Sequence, residues 1–316
     1  MNTEELNLET FNSIIPIAPP EFKSGFVAIV GRPNVGKSTL MNHLIGQKIA
    51  ITSPVAQTTR NRLRGILSTP EAQIIFVDTP GIHKPHHELG KVLVQNAKTA
   101  IKSVDLVLFL VDSSVDAGTG DRFIFDLLKR LDTPVVLGLN KVDLQPNNFQ
   151  FIDDTYADLI ADTNWSTVKF SATTGAGTDR LQQLLVEKLE SGPYYYPPDL
   201  VTDQPERFII TELIREQILL HTRQEIPHSV AITIEKIEET PKVTKVNAAI
   251  NIERSSQKGI IIGKKGAMLK TIGIAARQQI QKLIAGKVHL ELFVKVEPKW
   301  RQSRIRLAEF GYQVEE

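Results

Sequence analysis

Alternating apolar and polar runs divide the first 190 residues into strand-like and helix-like segments. Five short runs rich in β-branched residues have the length of strands, at Phe26–Val30, Gln73–Val77, Asp105–Val111, Pro134–Leu139 and Thr167–Phe170. Apolar residues recur at helical spacing in four stretches, at Glu88–Lys102, Asp121–Arg130, Phe149–Ala161 and Asp179–Glu190. Strands that alternate with helices predict an α/β fold, with helices on both faces of a mostly parallel sheet.

The rest of the chain has a different order of elements. A helix is predicted at Gln204–Leu220, followed by strands at His228–Ile237 and Val243–Ile252. A glycine-spaced segment, a helix at Met268–Leu283, a strand at Val288–Val296 and a short arginine-rich helix complete the pattern. This part is predicted to be a smaller α+β domain.

Proline and glycine mark the boundary between the two parts. The sequence SGPYYYPPD begins at Ser191 and contains three prolines and one glycine, which is typical of an extended linker. We therefore predict a flexible tail over residues 1–24, an α/β domain over 25–190, a linker over 191–203 and an α+β domain over 204–316.

Composition narrows the candidate chemistry. Of the 316 residues, 41% are hydrophobic and none is cysteine, which excludes disulfides, thiolate zinc sites and a cysteine nucleophile. The lack of cysteine agrees with a cytoplasmic location, and the N-terminal residues do not have the pattern of a signal peptide. No apolar run approaches the ~20 residues that a membrane helix needs.

Basic charge is concentrated near the C-terminus. The whole chain has a net charge of +1, but residues 255–306 contain twelve Lys and Arg against two Glu, a local net charge of +10. This asymmetry indicates a nucleic-acid partner, with an anionic membrane surface as the alternative.

A phosphate-binding loop follows the first predicted strand. Residues 31–38 read GRPNVGKS and match the G-x-x-x-x-G-K-[ST] pattern, just before a helical run. In such a loop the backbone N–H groups point at the phosphates, Lys37 reaches the β- and γ-phosphates and acts in catalysis, and Ser38 binds Mg²⁺. The predicted nucleotide-binding residues here are Gly31, Arg32, Pro33, Asn34, Val35, Gly36, Lys37, Ser38 and Thr39.

The second predicted strand ends in an acidic turn. The DTPG sequence places the Asp78 carboxylate at the carboxyl edge of the sheet, where it can hold the water shell of Mg²⁺. Gly81 can donate its backbone N–H to a γ-phosphate, which gives it a catalytic role and makes the following loop a switch. The predicted nucleotide-binding residues of this turn are Asp78, Thr79, Pro80, Gly81 and Ile82.

Two further turns supply a purine pocket. The NKVD sequence follows a strand, and the Asp143 carboxylate can accept hydrogen bonds from the ring N–H and the amino group of guanine. Adenine lacks these paired donors, so this aspartate selects GTP over ATP. The predicted base-binding residues are Asn140, Lys141, Val142, Asp143, Ser171, Ala172 and Thr173.

The order GRPNVGKS, DTPG, NKVD, SAT resembles the translation-factor-like family of P-loop GTPases. The resemblance implies hydrolysis of GTP to GDP and phosphate with Mg²⁺. It also implies that Thr59, with Thr58 as the alternative, is the catalytic, Mg²⁺-binding threonine of the first switch.

One position departs from the pattern of many GTPases. Ile82 follows DTPG, where a water-orienting glutamine is common, so hydrolysis is expected to be slow unless another group assists. Asn34 resembles the asparagine with which related GTPases hold K⁺ near the phosphates. The segment IHKPHHE after DTPG contains three histidines, His83, His86 and His87. We interpret them as solvated loop residues rather than a metal cluster.

A second glycine loop lies in the C-terminal domain. Its GKKG sequence lies between two predicted helices, and the whole pattern resembles a type II KH domain that clamps single-stranded RNA. The alternative is a glycine turn that only joins two helices. The predicted RNA-binding residues are Gly263, Lys264, Lys265, Gly266 and Lys270.

The GTPase motifs, the PYYYPPD linker and IGKKGAMLKTIGIAARQQIQKL together are similar to the Era family of GTPases over Gly25–Tyr312. The resemblance implies binding near the 3′ end of small-subunit (16S) rRNA, a role in small-subunit assembly and peripheral association with the inner membrane. We expect a monomer with no DNA partner. The alternative function is a GTPase that docks on membranes or proteins, whose basic domain binds anionic lipid.

Overall fold

The computed structural model describes residues 15–53, 60, 63–81, 88–147, 149–223, 226–284 and 286–312. These residues form two units. The first comprises the described residues up to 49 and within 62–82 and 97–203, and the second comprises those within 50–61, 83–96 and 204–316. The sequence predicts continuous domains, whereas two short segments from the predicted α/β domain fold as parts of the second unit.

A six-stranded sheet forms the centre of the first unit. Its order is β2-β3-β1-β4-β5-β6. The strands are β1 Lys23–Val30, β2 Leu63–Ser68, β3 Ala72–Asp78, β4 Leu106–Asp112, β5 Val135–Asn140 and β6 Ser166–Lys169. Every neighbouring pair is parallel except β2 with β3. The predicted α/β class with a mostly parallel sheet is confirmed.

Strand β2 is absent from the sequence-based prediction, because Arg64, Gly65 and Ser68 interrupt its apolar pattern. A tight turn folds it back onto β3. The N–H of Thr69 donates to the carbonyl of Ala72 (2.8 Å), and the Thr69 hydroxyl accepts from the N–H of Ala72 (3.0 Å). Cross-strand pairing therefore overrides a weak local pattern.

The helices that begin in this part of the chain are α1 Lys37–Ile45, α2 Glu88–Lys102, α3 Thr119–Leu128, α4 Phe149–Leu159 and α5 Thr178–Lys188. Ala97 and Ile124, from α2 and α3, pack with Phe109 of β4 in the core of the first unit. Helix α3 begins at Thr119 rather than Asp121, because the Asp121 carboxylate accepts a hydrogen bond from the N–H of Gly118 (3.0 Å) at the helix start.

The N-terminal boundary predicted at Gly25 falls inside β1. Phe22 is buried and its ring centroid lies 4.1 Å from that of Tyr194, so ordered packing begins before the predicted end of the tail. Residues 191–203 contain no helix or named strand, include a turn in which the N–H of Leu200 donates to the carbonyl of Pro197 (3.0 Å), and belong to the first unit. The buried Gln73 side chain accepts hydrogen bonds from the N–H groups of Tyr195 (2.8 Å) and Tyr196 (3.0 Å) and donates to the Tyr196 carbonyl (2.9 Å).

The second unit contains a three-stranded sheet in the order β7-β8-β9, antiparallel between the first pair and parallel between the second. Its strands are β7 Ala231–Glu239, β8 Val243–Ile252 and β9 Lys287–Val296. Its own helices are α6 Glu206–His221, α7 Ile226–Ser229, α8 Ser255–Ile262, α9 Ala267–Ile280 and α10 Arg304–Glu309. Helix α9 packs against α6 and β9. The predicted smaller α+β domain is confirmed.

The predicted strand start at His228 is wrong. Residues Ile226–Ser229 form a helical turn, and β7 begins at Ala231. The carbonyl of Ser229 accepts a hydrogen bond from the Trp300 indole (3.0 Å), and its hydroxyl accepts one from the Gln257 amide (2.9 Å). These long-range bonds hold the turn against the strand propensity of the sequence.

Buried contacts explain why two short segments join the second unit. The Arg60 guanidinium is buried and donates to the carbonyls of Val230 (2.6 Å) and Pro227 (2.9 Å). Leu89 and Leu93, from the start of α2, belong to the same apolar cluster as Trp300. Within the described ranges no helix is long and apolar enough to cross a membrane.

Replacing Gln73 with alanine is expected to loosen residues 191–203 from the sheet. The change removes three hydrogen bonds to the backbone of Tyr195 and Tyr196, and we expect a loss of about 2 kcal/mol of local stability. Chymotrypsin cleavage after Tyr195 should become about thirtyfold faster. Gln150→Ala is the matched control, since this exposed amide donates to the exposed Asp154 side chain. Equal cleavage rates in the two variants would contradict the role of Gln73 in holding residues 191–203 on the sheet.

Candidate functional site

The predicted phosphate loop connects the end of β1 to the start of α1. Gly36 precedes the helix in a left-handed conformation (φ 100°), and a methyl group there would lie 2.3 Å from the amide nitrogen of Asn140. Only glycine fits this position. Asn34 also has a positive φ of 64°, so the loop is tightly curved just before the helix N-terminus. Curvature of this kind allows successive backbone N–H groups to point toward one side, as an anion site requires.

Lys37 is the buried cation of this loop. Its Nζ donates to the carbonyls of Gly31 (3.2 Å) and Arg32 (2.9 Å). Burial lowers the pKa of Lys37 to about 8, and the negative charge of Asp78 only partly opposes this effect. A phosphate beside the ammonium would supply the missing counter-charge, so the site is suited to a polyphosphate ligand.

Ser38 and Asp78 bring two oxygen ligands together. The Ser38 hydroxyl donates to Oδ2 of Asp78 at 2.7 Å, although the two residues are 40 positions apart. The hydroxyl of Thr79 donates to the carbonyl of Ile29 (2.8 Å), which fixes the turn after β3 against β1. A hydroxyl and a carboxylate beside a phosphate loop fit the oxygen-only preference of Mg²⁺. Gly81, at the end of the same turn, lies against Pro33 of the loop.

Asn140 connects the phosphate loop to the predicted base loop. Its side-chain amide donates to the carbonyl of Val35 (2.8 Å) and its side-chain oxygen accepts from the N–H of Ala172 (2.9 Å). Ser171 is buried, whereas Asp143 and Thr173 are exposed on neighbouring turns. The structure thus brings the NKVD and SAT sequences to the same edge of the sheet, as the sequence predicts.

Asp112 is a polar residue of the site that the sequence analysis missed. It ends β4 at the same edge, and its carboxylate accepts from the Lys141 ammonium at 2.6 Å. Burial opposes ionisation, but the hydrogen bonds from Lys141 and Ser114 together hold the pKa of Asp112 below its usual range. The sequence VDSS at the end of an apolar strand could have indicated this aspartate as a site residue.

Several predicted switch residues lie outside the described residues, namely Thr58, Thr59, Ile82, His83, His86 and His87. Their assignments stay predictions. Among the residues that are described, no cluster of His, Asp and Glu is arranged to hold a metal ion on its own. The Ser38 and Asp78 pair therefore needs phosphate and water oxygens to complete a Mg²⁺ site.

The GKKG loop joins α8 to α9 through a left-handed turn. Gly263, Lys265 and Gly266 have φ values of 70°, 51° and 79°. A side chain at Gly263 would come within 2.7 Å of Met268, whereas the space beside Gly266 is open. Lys264 and Lys265 are exposed, so the turn presents two ammonium groups to solvent.

A groove of about 490 Å³ runs from this loop between α9 and β9. It is lined by Gly266, Leu269, Lys270, Gly273, Ile274, Arg277, His289, Leu290 and Leu292. The floor is apolar and the rim is basic, which suits stacked bases with a phosphate backbone beside them. Ile261 and Ile272 are fully buried core residues, while the predicted Lys270 faces the groove.

Comparison with known proteins gives two family matches. Residues 26–141 match a family described as 50S ribosome-binding GTPase, and residues 225–301 match the KH domain family. GTPase Era of Crocosphaera subtropica is 73% identical over 311 residues, covering 98% of this chain and 99% of its own. GTPase Era of a Nostoc species is 74% identical over 302 residues, covering 96% of this chain and 93% of its own.

Two solved structures are also similar. A crystal structure of Era in complex with MgGDPNP and nucleotides 1506–1542 of 16S ribosomal RNA matches with a TM-score of 0.89 at 40% identity, covering 92% of this chain and 99% of that chain. A tyrosine-to-alanine variant of Aquifex aeolicus Era bound to GDP·AlF4⁻ matches with a TM-score of 0.88 at 39% identity, covering 92% and 100%.

The lowered pKa of Lys37 predicts that guanine nucleotides bind more weakly as pH rises through about 8. Phosphate contact raises this pKa, so the complex holds more protons than the separate partners, and binding takes up a proton when the free lysine is neutral. Calorimetric titration with GDP in buffers of different ionisation enthalpy should show uptake rising from about a quarter of a proton at pH 7.5 to about four-fifths at pH 8.7.

GMP is the control ligand for this measurement, because it lacks the β-phosphate that Lys37 is expected to reach. Its proton uptake should stay small over the same range. Uptake with GDP that does not change between the two pH values would contradict the role assigned to Lys37.

Proposed function

The chain belongs to the Era family of GTPases, and from that premise we propose that it is a GTP-controlled switch that binds single-stranded RNA near the 3′ end of small-subunit (16S) rRNA. Its role in the cell would be in assembly of the small ribosomal subunit. Nucleotide binding is supported by the position of Asn140, whose side chain is hydrogen-bonded to both the phosphate loop and the loop that contains Ala172. The RNA-binding half rests on the basic groove between α9 and β9.

In the nucleotide site, the phosphates would lie along the backbone of residues 31–39, with Lys37 beside the β- and γ-phosphates. Ser38, Asp78 and a switch threonine, Thr59 or Thr58, would hold Mg²⁺, which neutralises phosphate charge. Water attacks the γ-phosphorus and the bond to the bridging β–γ oxygen breaks, releasing GDP and phosphate. Lys37 and the N–H of Gly81 stabilise the charge on the γ-phosphoryl group in this step.

Guanine would bind between the two turns next to Asn140, which contain Asp143 and Ala172. Asp143 is exposed on the 3₁₀ turn Val142–Leu144, where its carboxylate can accept from the ring N–H and amino group of the base. The buried Ser171 and Ala172 hold the opposite loop, and Thr173 lies at its exposed end. This arrangement supports GTP rather than ATP as the substrate.

RNA would bind with its bases in the groove and its phosphates at the GKKG loop. Lys264 and Lys265 are exposed in the loop where the groove begins, and Lys270 lines the groove itself. Such contacts supply much of the affinity and make it dependent on salt. The related Era that was solved with a 16S rRNA fragment supports this choice of partner.

We assign nucleotide binding to the predicted G domain, residues 25–190, and RNA binding to the predicted KH domain, residues 204–316. We infer that the nucleotide state changes RNA binding, because the second unit contains Arg60 and the start of α2 as well as the RNA groove. These elements lie next in sequence to the expected switch segments. A monomer in the cytoplasm, with peripheral association with the inner membrane and no DNA partner, completes the proposal.

Charge reversal at the RNA groove is expected to remove RNA binding without affecting GTP hydrolysis. Lys264→Glu with Lys265→Glu changes two exposed side chains and should weaken binding of a 16S 3′-end oligonucleotide by about 100-fold. Gly266→Asp adds a charge in open space at a left-handed φ of 79°, which aspartate tolerates better than most residues, whereas Gly263→Asp would also collide with Met268 and is therefore a poorer test. Lys236→Glu, on the opposite edge strand β7, is the control and should bind normally.

Crosslinking to RNA in cells with the same variants tests the identity of the partner. Enrichment of reads near the 3′ end of small-subunit rRNA, lost in the Lys264/Lys265 variant, is the expected outcome. Scattered reads that the variant does not change, together with binding to anionic liposomes, would favour the lipid-docking alternative.

Potassium is expected to accelerate hydrolysis. Ile82 cannot orient water, and the left-handed Asn34 lies in the phosphate loop where a side-chain oxygen can hold a monovalent cation beside the phosphates. GTP turnover in KCl should exceed turnover in NaCl at equal ionic strength, and Asn34→Ala should remove the difference. Identical rates of the unmodified protein in the two salts would refute this part of the mechanism.

A further inference from the structure

Arg32 has a role beyond contributing a backbone position to the phosphate loop. Its Nε donates to Oδ1 of Asp121 at 2.7 Å, and the Asp121 side chain is 0% exposed. The other oxygen of Asp121 accepts from the N–H of Gly118 at 3.0 Å. The two carboxylate oxygens are thus shared between the start of α3 and the phosphate loop, which is 89 residues away in sequence.

A third element lies beside the same guanidinium. Tyr156, on α4, contributes to the raised pKa of Arg32, and its single hydroxyl proton is shared between the carbonyls of Asp112 (3.0 Å) and Val115 (3.1 Å). Burial by itself would lower the pKa of Arg32, but the hydrogen bond and charge of Asp121 raise it above its ordinary value. The cation is therefore held on α3 by Asp121.

The main chain of Arg32 faces the phosphate site. Its carbonyl accepts from the Lys37 ammonium at 2.9 Å, the shorter of the two lysine contacts to the loop backbone. The residue whose side chain is tied to Asp121 is thus the residue whose carbonyl orients Lys37. Displacement of the side chain would move the carbonyl and the ammonium with it.

We propose that Asp121 is a positioning residue for the phosphate site, which acts through its ion pair with Arg32 to hold Lys37 in place. This inference rests on the proposed nucleotide function and assigns part of its geometry to a residue outside the sequence motifs. In this proposal the Arg32 guanidinium binds Asp121 rather than the nucleotide. Release of the guanidinium toward the γ-phosphate would leave a fully buried carboxylate without its cation, which is strongly unfavourable.

The test compares Asp121→Asn with the control Asp126→Asn on the same helix. Asparagine keeps an acceptor for Gly118 but presents its amide to the Arg32 donor, whereas Asp126 is an exposed partner of Lys129. Affinities for GDP and for IDP, which lacks the guanine amino group, are measured with Mg²⁺. Asp121→Asn should weaken both by about tenfold, because a charge-assisted contact is lost. The ratio of the two affinities should stay unchanged, since base reading is untouched.

Two further variants separate positioning from folding. Arg32→Lys keeps the charge and should give an intermediate loss of affinity. Arg32→Met with Asp121→Asn removes the ion pair but keeps an acceptor for the N–H of Gly118, and it should melt at a higher temperature than Asp121→Asn because no unpaired guanidinium is left beside the buried side chain. It should still bind GDP about tenfold more weakly than the unmodified protein.

Each result decides the question. Full GDP affinity in Asp121→Asn, or affinity that recovers with stability in the double variant, would show that the pair only stabilises the fold. A change in the GDP to IDP ratio would place the effect at the base pocket and would also overturn the proposal. Failure of the unmodified protein to bind GDP would instead overturn the proposed function.

Discussion

The two hydrogen bonds of the Asn140 side chain hold the nucleotide site together. The phosphate loop follows β1 and the base loop follows β6, so their positions are set by different parts of the sheet. Asn140, at the end of β5, donates to the first at Val35 and accepts from the second at Ala172. Because β1, β3, β4, β5 and β6 run parallel, their carboxyl ends meet at one edge, and the polar side chains of the site lie at or just after those ends. Loss of this register would separate the phosphate and base contacts.

Electrostatics at that edge follow from burial. The ammonium of Lys37 is held by two carbonyl oxygens rather than a full negative charge, so its environment favours an incoming phosphate. Arg32, by contrast, is paired with a buried carboxylate and is committed to the fold. Two cations in one loop therefore have different roles, and the difference depends on the neighbours that the fold supplies.

In the second unit, backbone conformation determines how the cations of the GKKG loop are presented. Three positions with positive φ, Gly263, Lys265 and Gly266, shape the GKKG turn, whose lysines are exposed beside a groove with an apolar floor. Its interior, however, depends on residues from distant parts of the chain. Arg60 and Leu89 come from within the predicted G domain, and both are buried beside residues of the C-terminal part. A domain boundary drawn along the sequence cannot separate these contributions.

By itself, the sequence determined the α/β and α+β classes, most of the helices and strands, and the nucleotide motifs. The order of these motifs also indicated the GTPase family. These features depend on local periodicity or on short spacings, which survive without knowledge of the fold. Only the tertiary structure decided the pairing of β2, the turn at Ile226–Ser229, the place of Arg60 and the contact between Arg32 and Asp121. The last three join residues far apart in sequence through buried hydrogen bonds or an ion pair, and the first depends on a strand ladder. The physical reason is that burial and pairing energies depend on which distant groups meet, and a one-dimensional pattern does not contain that information.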